Sequence, residues 1–220
     1  MFKLIHNTIL SIIFPQKCLG CNAKDQLICK NCQNHILNTR SSCQNLTNLH
    51  FKNLDNLIVA VDYKNKIIKK AIWLLKYNNI RKIAEPFSDL LYNFKHVYNP
   101  NNANRIIIPI PLSPKKLKKR GYNQSELIAN HLSKKLNIPF YSDVLYKKES
   151  KYSQVETKNR KERLQNQKNL FEVKNKEKLK NTTIFLVDDV ITTGATINEA
   201  ALELRKNGAR KIIGLVVAKG

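Results

Sequence analysis

The stretch IFLVDDVITTGAT, from Ile184 to Thr196, decides how this chain folds. It begins with an apolar run of the length expected for a strand buried on both faces, and it ends where an amphipathic helical pattern starts. Two adjacent acids follow its first four residues, and three threonines and Gly194 lie in its second half. We expect the acids, Asp188 and Asp189, at the carboxyl end of the strand and in the loop before the helix, where parallel α/β sheets bind their ligands.

The turn that follows the acids is predicted to bind a phosphate. Free N–H groups and the positive end of a helix attract anions, and Gly194 lets the backbone approach a phosphate closely. Two carboxylates would repel the phosphate itself, so we expect them to accept hydrogen bonds from hydroxyls attached to it, as in a phosphorylated ribose. Helix capping alone explains one hydroxyl but not the whole pattern. The predicted ligand residues are Asp188, Asp189, Thr192, Thr193, Gly194, Ala195 and Thr196.

Strand and helix patterns alternate along the second half of the chain, which predicts an α/β domain with a mostly parallel sheet. RIIIPIP and RKIIGLVVA are predicted strands, and residues 57–63 form another. Helices are predicted over 122–136, over 80–97 and in KNKIIKKAIWLLKYNN. In the last of these, Trp73 is expected in the core in preference to the alternative of a platform for base stacking, and the lysines are expected on a solvated face.

Two pairs of cysteines with C-x-x-C spacing, CLGC and CKNC, lie close together near the start of the sequence. Two such pairs suit tetrahedral zinc, and four thiolates leave no open position, so a structural site is predicted. Disulfides are not expected without an export signal. A fifth cysteine, Cys43, is either a spare thiol or a replacement ligand. The predicted zinc ligands are Cys18, Cys21, Cys29 and Cys32.

Composition bears on partners and location. The chain has 39 Lys and Arg against 16 Asp and Glu, a formal net charge of +23, which favours polyanionic ligands but also fits a biased composition spread over solvated surfaces. The apolar run in MFKLIHNTILSIIF is too short to cross a bilayer, so we expect a helix that docks on the protein, no membrane span and a cytoplasmic location. We predict an N-terminal helix with a cysteine module over 1–48 and a larger domain over 49–220.

Several motifs resemble those of known families. IFLVDDVITTGAT is similar to the phosphoribosyl pyrophosphate signature of type I phosphoribosyltransferases, whose two acids contact the ribose hydroxyls and whose threonine-rich loop binds the 5′-phosphate. IPIPLSPKKLKKRGYNQSELIA, residues 108–129, resembles a pattern of the ComF-type competence proteins, which also begin with a cysteine-rich zinc module. Residues 154–171 match a further motif of that family loosely. Members commonly carry a third C-x-x-C, but Arg40 stands where its first cysteine would be.

The resemblance implies a type I phosphoribosyltransferase fold with a mostly parallel sheet, plus a small zinc-ribbon-like module. It also implies binding of phosphoribosyl pyrophosphate with Mg²⁺, and displacement of pyrophosphate at ribose C1 by a nucleophile that the sequence does not identify. The turn Ile110, Pro111 and Leu112 occupies the place of the loop that binds pyrophosphate. The basic run after it, including Lys115 and Arg120, is expected to bind the same group.

Three functions remain open at this point. The first is a phosphoribosyltransferase with an unidentified acceptor. The second is a factor for DNA uptake or recombination that binds single-stranded DNA and works with other competence or recombination proteins. The third is a regulator that binds phosphoribosyl pyrophosphate without turnover. For DNA, two loops are expected to form a basic rim, KKLKKR and the segment from Lys147 to Lys180, with Tyr122 and Tyr152 either stacked on bases or packed inside.

Overall fold

A computed structural model describes residues 17–38, 44–45, 51–98, 104–149 and 170–220. Its strands are β1 (Gln44–Asn45), β2 (Asn56–Asp62), β3 (Arg105–Pro109), β4 (Leu145–Lys147), β5 (Phe171–Val173), β6 (Thr183–Ile191) and β7 (Lys211–Lys219). Strands β2, β7, β6 and β3 lie side by side in this order and pair in parallel, and β1 pairs antiparallel with β2 at the edge. Strands β4 and β5 form a separate antiparallel pair. The prediction of an α/β fold with a mostly parallel sheet is confirmed.

Helices surround this sheet and also lie at its carboxyl edge. In the described ranges the α-helices are α1 (Lys30–Asn38), α2 (Lys66–Tyr77), α3 (Ala84–Tyr92), α4 (Pro114–Arg120), α5 (Gln124–Leu136) and α6 (Ala195–Lys206). The predicted helix over 80–97 is broken into a 3-10 turn at Arg81–Ile83, helix α3 and a second 3-10 turn at Lys95–Tyr98. Pro86 lies in the first turn of α3, where a proline is tolerated.

Both faces of the sheet are buried, as the apolar run in β6 predicts. Ile184 and Leu186 belong to one hydrophobic cluster, which α6 covers, whereas Phe185 and Val187 belong to another, which α2, α3 and α5 cover. Successive side chains of a strand point to opposite faces, so one short run of β6 contributes to both cores. This double burial covers β6 as far as Val187, directly before its two acids.

The segment that carries the cysteines packs against the sheet domain. Ile28 and Ile36 join the cluster that α2, α3 and α5 form. A Cβ atom at Gly20 would come within 2.8 Å of Ile67 Cδ1 on α2. Strand β1 precedes residue 49 and yet pairs with β2. The division between 1–48 and 49–220 stays a prediction, but residues on its two sides are in contact.

Strand β6 continues through both acids to Ile191, so the expectation that the acids lie in a loop is wrong. The reason is that β7 runs alongside β6 over its whole length, with Asp188 opposite Val216 and Val190 opposite Ala218. The acids remain at the carboxyl end of the strand, and their backbone is held by the sheet.

The basic run KKLKKR is helical and does not form a loop. Pro114 starts α4, where its missing N–H is not needed, and Gly121 ends the helix with a φ of +79°. Its lysines and arginine are therefore distributed around a short helix. The two-loop rim expected for DNA is not present in that form, and residues 150–169 of its second segment lie outside the described ranges.

Trp73 is 52% exposed, so the expectation of a tryptophan in the core is wrong. Helix α2 buries Ile68, Ala71, Ile72 and Leu75, which share one face at the spacing i, i+3, i+4 and i+7. Trp73 follows Ile72 by one position and is therefore turned about 100° away from it around the helix axis.

Several predicted features fall on residues outside the described ranges: the N-terminal helix over 1–14, Cys43, Tyr152 and most of the motif over 154–171. The predictions made for them stay predictions. Among the described helices, none combines the length and the apolar character that crossing a membrane requires.

Candidate functional site

The acid pair at the end of β6 faces the first turn of α5. The Ser125 hydroxyl donates a hydrogen bond to Asp188 Oδ1 at 2.9 Å, and the Asp189 backbone N–H donates to the same oxygen at 2.9 Å. Gln124 Nε2 donates to Asp189 Oδ1 at 3.2 Å. On the other side, Lys76 Nζ of α2 lies 2.7 Å from Asp189 Oδ2. Asp189 is only 2% exposed, whereas Asp188 is partly exposed, so the two acids occupy different environments.

The segment RGYNQS, residues 120–125, builds the wall that faces the acids. Arg120 donates to the side-chain oxygen of Gln124, which orients the Gln124 amide toward Asp189. Asn123 caps α5, because its Oδ1 accepts from the Ser125 N–H at 3.2 Å. The Asn123 amide donates to the Ile110 carbonyl at 3.0 Å and so attaches the turn after β3 to the start of α5.

Tyr122 is 7% exposed and packs in the interior of the protein. Its hydroxyl donates to the Leu75 carbonyl near the end of α2, and the Arg81 guanidinium lies 4.5 Å from its ring centroid. Of the two roles left open for this residue, the structure shows packing inside. Tyr122 cannot offer a free ring face for stacking while it makes these contacts.

Burial raises the pKa of Asp188 to about 7, and the negative charge of Asp189 acts in the same direction. The hydroxyl of Ser125, the backbone N–H of Asp189 and the charge of Lys76 oppose this effect without cancelling it. Near neutral pH, Asp188 is therefore divided between its protonated and ionised forms.

The turn between β6 and α6 exposes most of the predicted phosphate ligands. Thr192, Thr193, Ala195 and Thr196 are exposed, and the Thr193 hydroxyl accepts from the Ala195 N–H at 3.4 Å. Gly194 has a φ of +78°, which favours glycine, and a Cβ atom there would lie 2.1 Å from Phe51 Cε1. Gly194 is thus required by the backbone conformation and by the ring packed against it.

The turn Ile110–Leu112 lies beside the end of β6, because the Ile110 N–H donates to the Val187 carbonyl at 2.8 Å. The structure therefore brings this turn, the acid pair and Arg120 together. Lys115 is exposed on the first turn of α4 and does not line the cleft described next.

A basic cleft of about 360 Å³ opens between the end of α2 and the junction of α4 with α5. Lys76 joins this cleft to the acid pair through its contact with Asp189. Burial lowers the pKa of Lys147 on β4. The charge of Lys116 lowers this pKa further, whereas the charge of Asp188 raises it, so Lys147 is a further cation near this side of the site. The lining residues are Lys76, Tyr77, Asn79, Lys116, Lys119, Arg120 and Tyr122.

Sequence reasoning assigned no role to four residues that contact the acids or the neighbouring turn. For Asn123, Gln124 and Ser125 a signal existed, because they belong to the RGYNQS pattern. For Lys76 the helical pattern was misleading, since it placed this lysine on a solvated face. In the structure the Lys76 side chain is 20% exposed and contacts Asp189.

The four predicted cysteine ligands converge on one point. Their Sγ atoms all lie within 4.8 Å of one another, and those of Cys21 and Cys29 are 3.5 Å apart. Tetrahedral zinc thiolates place sulfurs about 3.8 Å apart, so the set fits a metal ion of that geometry. Burial alone would raise the pKa of Cys18, but backbone N–H groups, led by that of Cys29, lower it to about 6. The cluster can therefore bind a metal ion.

The comparison with protein families agrees with the fold and with the acid pair. Residues 123–220 match the model of the phosphoribosyl transferase domain. Together with the parallel sheet and the strand–turn–helix unit at its carboxyl edge, this match defines a type I phosphoribosyltransferase fold. The crystal structure of adenine phosphoribosyltransferase from Leishmania tarentolae resembles the chain only distantly, with a TM-score of 0.44 and 13% identity. The superposition covers 80% of this chain and 94% of the Leishmania chain.

Individual relatives identify the family to which the chain belongs within this fold class. The chain is 40% identical to competence protein F of Haemophilus influenzae over 107 residues. The matched region is 48% of this chain and 46% of that protein. It is 32% identical over 145 residues to competence protein ComFC of Bacillus subtilis, covering 66% and 56%. It is 30% identical over 161 residues to the DNA utilization protein YhgH of Escherichia coli O157:H7, covering 71% and 68%. The chain belongs to the ComF family of competence proteins, although it spans only about half the length of the first two relatives.

The raised pKa of Asp188 gives a prediction about stability. Because the folded protein holds this proton more tightly than the unfolded chain, ionising Asp188 costs stability as the pH rises from its ordinary value of 3.8 through about 7. Asp188→Asn removes this cost and can still accept from Ser125. We therefore expect the variant to melt at a higher temperature than the wild type at pH 8, with a smaller difference at pH 5.

Thermal denaturation from pH 5 to pH 8 measures this difference. Asp143→Asn is the matched control, since a hydrogen bond from Lys178 lowers the pKa of Asp143 and the control should destabilise at pH 8. A melting difference between Asp188→Asn and the wild type that does not change with pH would contradict the assignment.

Proposed function

We propose that the protein binds phosphoribosyl pyrophosphate at the carboxyl edge of its sheet. The observation that carries the proposal is the acid pair, which side chains of α5 orient beside an exposed turn of threonines at the start of a helix. Asp188 and Asp189 accept from the ribose hydroxyls, and the turn from Thr192 to Thr196 binds the 5′-phosphate.

The two acids have different parts in this proposal. Asp188 is partly exposed and is the acid that a ribose hydroxyl reaches first. Both oxygens of Asp189 are already engaged, one by Gln124 and one by Lys76. Asp189 therefore contacts the sugar only if Lys76 moves, and otherwise it orients Lys76 toward the cleft.

The reaction that this site supports is displacement of pyrophosphate at ribose C1 by an acceptor. The transition state has oxocarbenium character, so the protein must orient both partners and stabilise the leaving pyrophosphate. Mg²⁺ bound to phosphoribosyl pyrophosphate would neutralise part of the charge of the ligand. The chain contributes the Ile110–Leu112 turn and the cations of the cleft, Arg120 among them.

Single and double changes at the acid pair test this proposal. Asp188→Asn should weaken binding of phosphoribosyl pyrophosphate with Mg²⁺ by about 1.5–3 kcal/mol, because it removes a charge-assisted hydrogen bond to the ligand. Asp189→Asn should weaken binding less, because Asp189 acts by orienting Lys76. Calorimetric titration measures the affinity, and Asp143→Asn serves as the control with the same chemical change at a distant carboxylate. Unchanged affinity in both acid variants would refute the site.

Gly194→Val is a poor test of binding, since the new side chain would strain the backbone and clash with Phe51 even without a ligand.

Turnover needs a separate measurement. Release of pyrophosphate in the presence of nucleobases or ammonia supports the transferase, whereas binding without release supports a sensor of phosphoribosyl pyrophosphate.

We propose that the metal bound by the cysteine cluster is zinc and that it is structural. Four thiolates saturate a tetrahedral ion, and Cys18 and Cys29 are buried. Burial raises the pKa of Cys32 to about 12, so binding of a metal must displace its proton. A zinc ion held by these thiolates would link the turn at Cys18 to helix α1.

Metal analysis of the reduced protein should find about one zinc ion per chain. Cys32→Ser should abolish tight binding and lower the melting temperature, because structural zinc contributes folding free energy. Cys43→Ser, which changes a cysteine outside this set of four, should keep the metal. Less than half an equivalent of zinc in the wild type would overturn the assignment.

A second candidate function, binding of single-stranded DNA in DNA uptake, is favoured by the exposed face of α2. The names of the relatives refer to competence and DNA utilization. Exposed residues recur along the helix over about 16 Å, with two aromatic rings after three lysines. Aromatic rings next to cations are the elements with which proteins bind single strands without sequence preference. This row consists of Lys66, Lys69, Lys70, Trp73 and Tyr77.

Trp73→Ala should weaken binding of an oligo(dT) strand by about 1–3 kcal/mol through lost stacking, with little change in the salt dependence. The double variant Lys69→Gln/Lys70→Gln should instead reduce the salt slope, because fewer counterions are released. Lys134→Gln/Lys135→Gln, an adjacent exposed pair at the far end of α5, is the charge-matched control. Gel-shift titrations at two salt concentrations give both quantities, and equal losses from the two lysine pairs would leave only diffuse attraction.

A further inference from the structure

The four residues of the cysteine cluster differ in how readily the solvent reaches them. Cys18 and Cys29 are buried, with exposures of 1% and 8%, and Cys32 is half-buried. Cys21 is the exposed member of the cluster. The susceptibility of a cysteine to oxidants follows its thiolate character and its access to solvent. A ligand set of four thiolates supplies the first property to all members, so the second property singles out Cys21.

A partner sulfur lies within reach of Cys21. The Sγ atoms of Cys21 and Cys29 are 3.5 Å apart, and both residues are free cysteines. The Cys29 N–H donates to Cys18 Sγ at 3.3 Å, which holds Cys29 beside the turn that carries Cys21. A disulfide bond is about 2.0 Å long, so a small approach of the two sulfurs is sufficient to join them. Oxidised Cys21 thus has a buried thiol next to it.

The turn that carries Cys21 is also packed against helix α2. A Cβ atom at Gly20 would lie 2.7 Å from Cys32 Sγ and 2.8 Å from Ile67 Cδ1, so the backbone of this turn fills the space between the cluster and the first turn of α2. Leu19 and Ile67 pack on the same core cluster. A rearrangement of the turn therefore removes a contact that supports the start of α2.

The far end of α2 contacts the acid pair. Lys76 lies about 13 Å further along the helix axis than Ile67. Its Nζ atom is 2.7 Å from Asp189 Oδ2. Between these two positions the helix carries Trp73, which is the only tryptophan of the chain and is 52% exposed. The fluorescence of Trp73 therefore reports on the surroundings of α2.

We propose that Cys21 is a site of oxidation by hydrogen peroxide, at which the cysteine cluster is converted into a disulfide and α2 is displaced. This inference rests on the proposed zinc site. The Cys21 thiolate attacks one oxygen of the peroxide, the O–O bond breaks and hydroxide leaves, which gives a sulfenic acid. The Cys29 thiolate then attacks the Cys21 sulfur, the S–O bond breaks and a second hydroxide leaves.

The electrons and ligands balance in these two steps. Two thiolates lose two electrons in forming one disulfide, and the peroxide gains them and becomes two hydroxides, which take up protons to give water. Cys18 and Cys32 remain as thiolates. Two thiolates no longer saturate a tetrahedral ion, so the chain loses its zinc. Reduction of the disulfide in the presence of zinc reverses the change.

Stepwise addition of hydrogen peroxide to the full chain loaded with zinc tests the chemical step. A colorimetric chelator should detect about one zinc ion released per chain. Peptide mapping by mass spectrometry should find a disulfide between Cys21 and Cys29, and dithiothreitol with zinc should restore the reduced protein. Cys43→Ser should respond like the wild type. Zinc that stays bound in excess peroxide, or a disulfide without Cys21, would overturn the inference.

Trp73 fluorescence tests the displacement of α2. Oxidation should shift the emission of the wild type, and reduction with zinc should reverse this shift, which direct damage to the tryptophan would not allow. Ile67→Ala removes the contact with the turn and keeps all four cysteines, so it should release zinc without the shift. Leu136→Ala, which shortens another partly buried side chain on the same core cluster, should keep the shift. An unchanged wild-type emission, or a shift that survives Ile67→Ala, shows that α2 is not displaced in this way and refutes the inference.

The untreated protein separates this inference from the zinc site on which it rests. If the reduced wild type contains less than about half an equivalent of zinc, the proposed zinc site fails and the inference fails with it. If zinc is bound and peroxide does not release it, the zinc site stands and the inference alone fails.

Discussion

The contact between the first turn of α5 and the end of β6 is the interaction on which the site depends. Two adjacent carboxylates, one buried and one partly exposed, repel each other, and they persist because Ser125 and Gln124 donate to them and Lys76 supplies a charge. The same turn of α5 binds the Ile110 carbonyl through Asn123. One helix start therefore positions the acids and the neighbouring turn together.

The sequence was sufficient for features that depend on residues close together in the chain. The strand–turn–helix unit around Gly194 and the convergence of the four cysteines both follow from short spacing and local conformation. Contacts between distant segments could not be read in this way. The pairing of Lys76 with Asp189 and the exposure of Trp73 depend on which face of α2 meets the sheet, and helical periodicity leaves the residues at the margin of that face undecided.

Helix α2 contacts both the cysteine segment and the acid pair, which are far apart in the sequence. Near its start, Ile67 lies against Gly20 of the cysteine segment, and near its end Lys76 reaches the acid pair. Its buried stripe packs on the domain core, while its outer row carries lysines and aromatic rings. A change that shifts α2 therefore affects the cysteine cluster, the acid pair and the outer basic surface at once.

The raised pKa of Asp188 couples ligand binding to the release of a proton. At neutral pH a large fraction of free molecules carries a proton on this carboxyl, since its pKa is about 7. A ligand whose hydroxyls donate to Asp188 favours the ionised form and expels that proton into the buffer. The heat of binding then contains the heat of protonating the buffer. Titrations in phosphate and in Tris therefore differ by the number of protons released multiplied by the difference between the ionisation enthalpies of the two buffers.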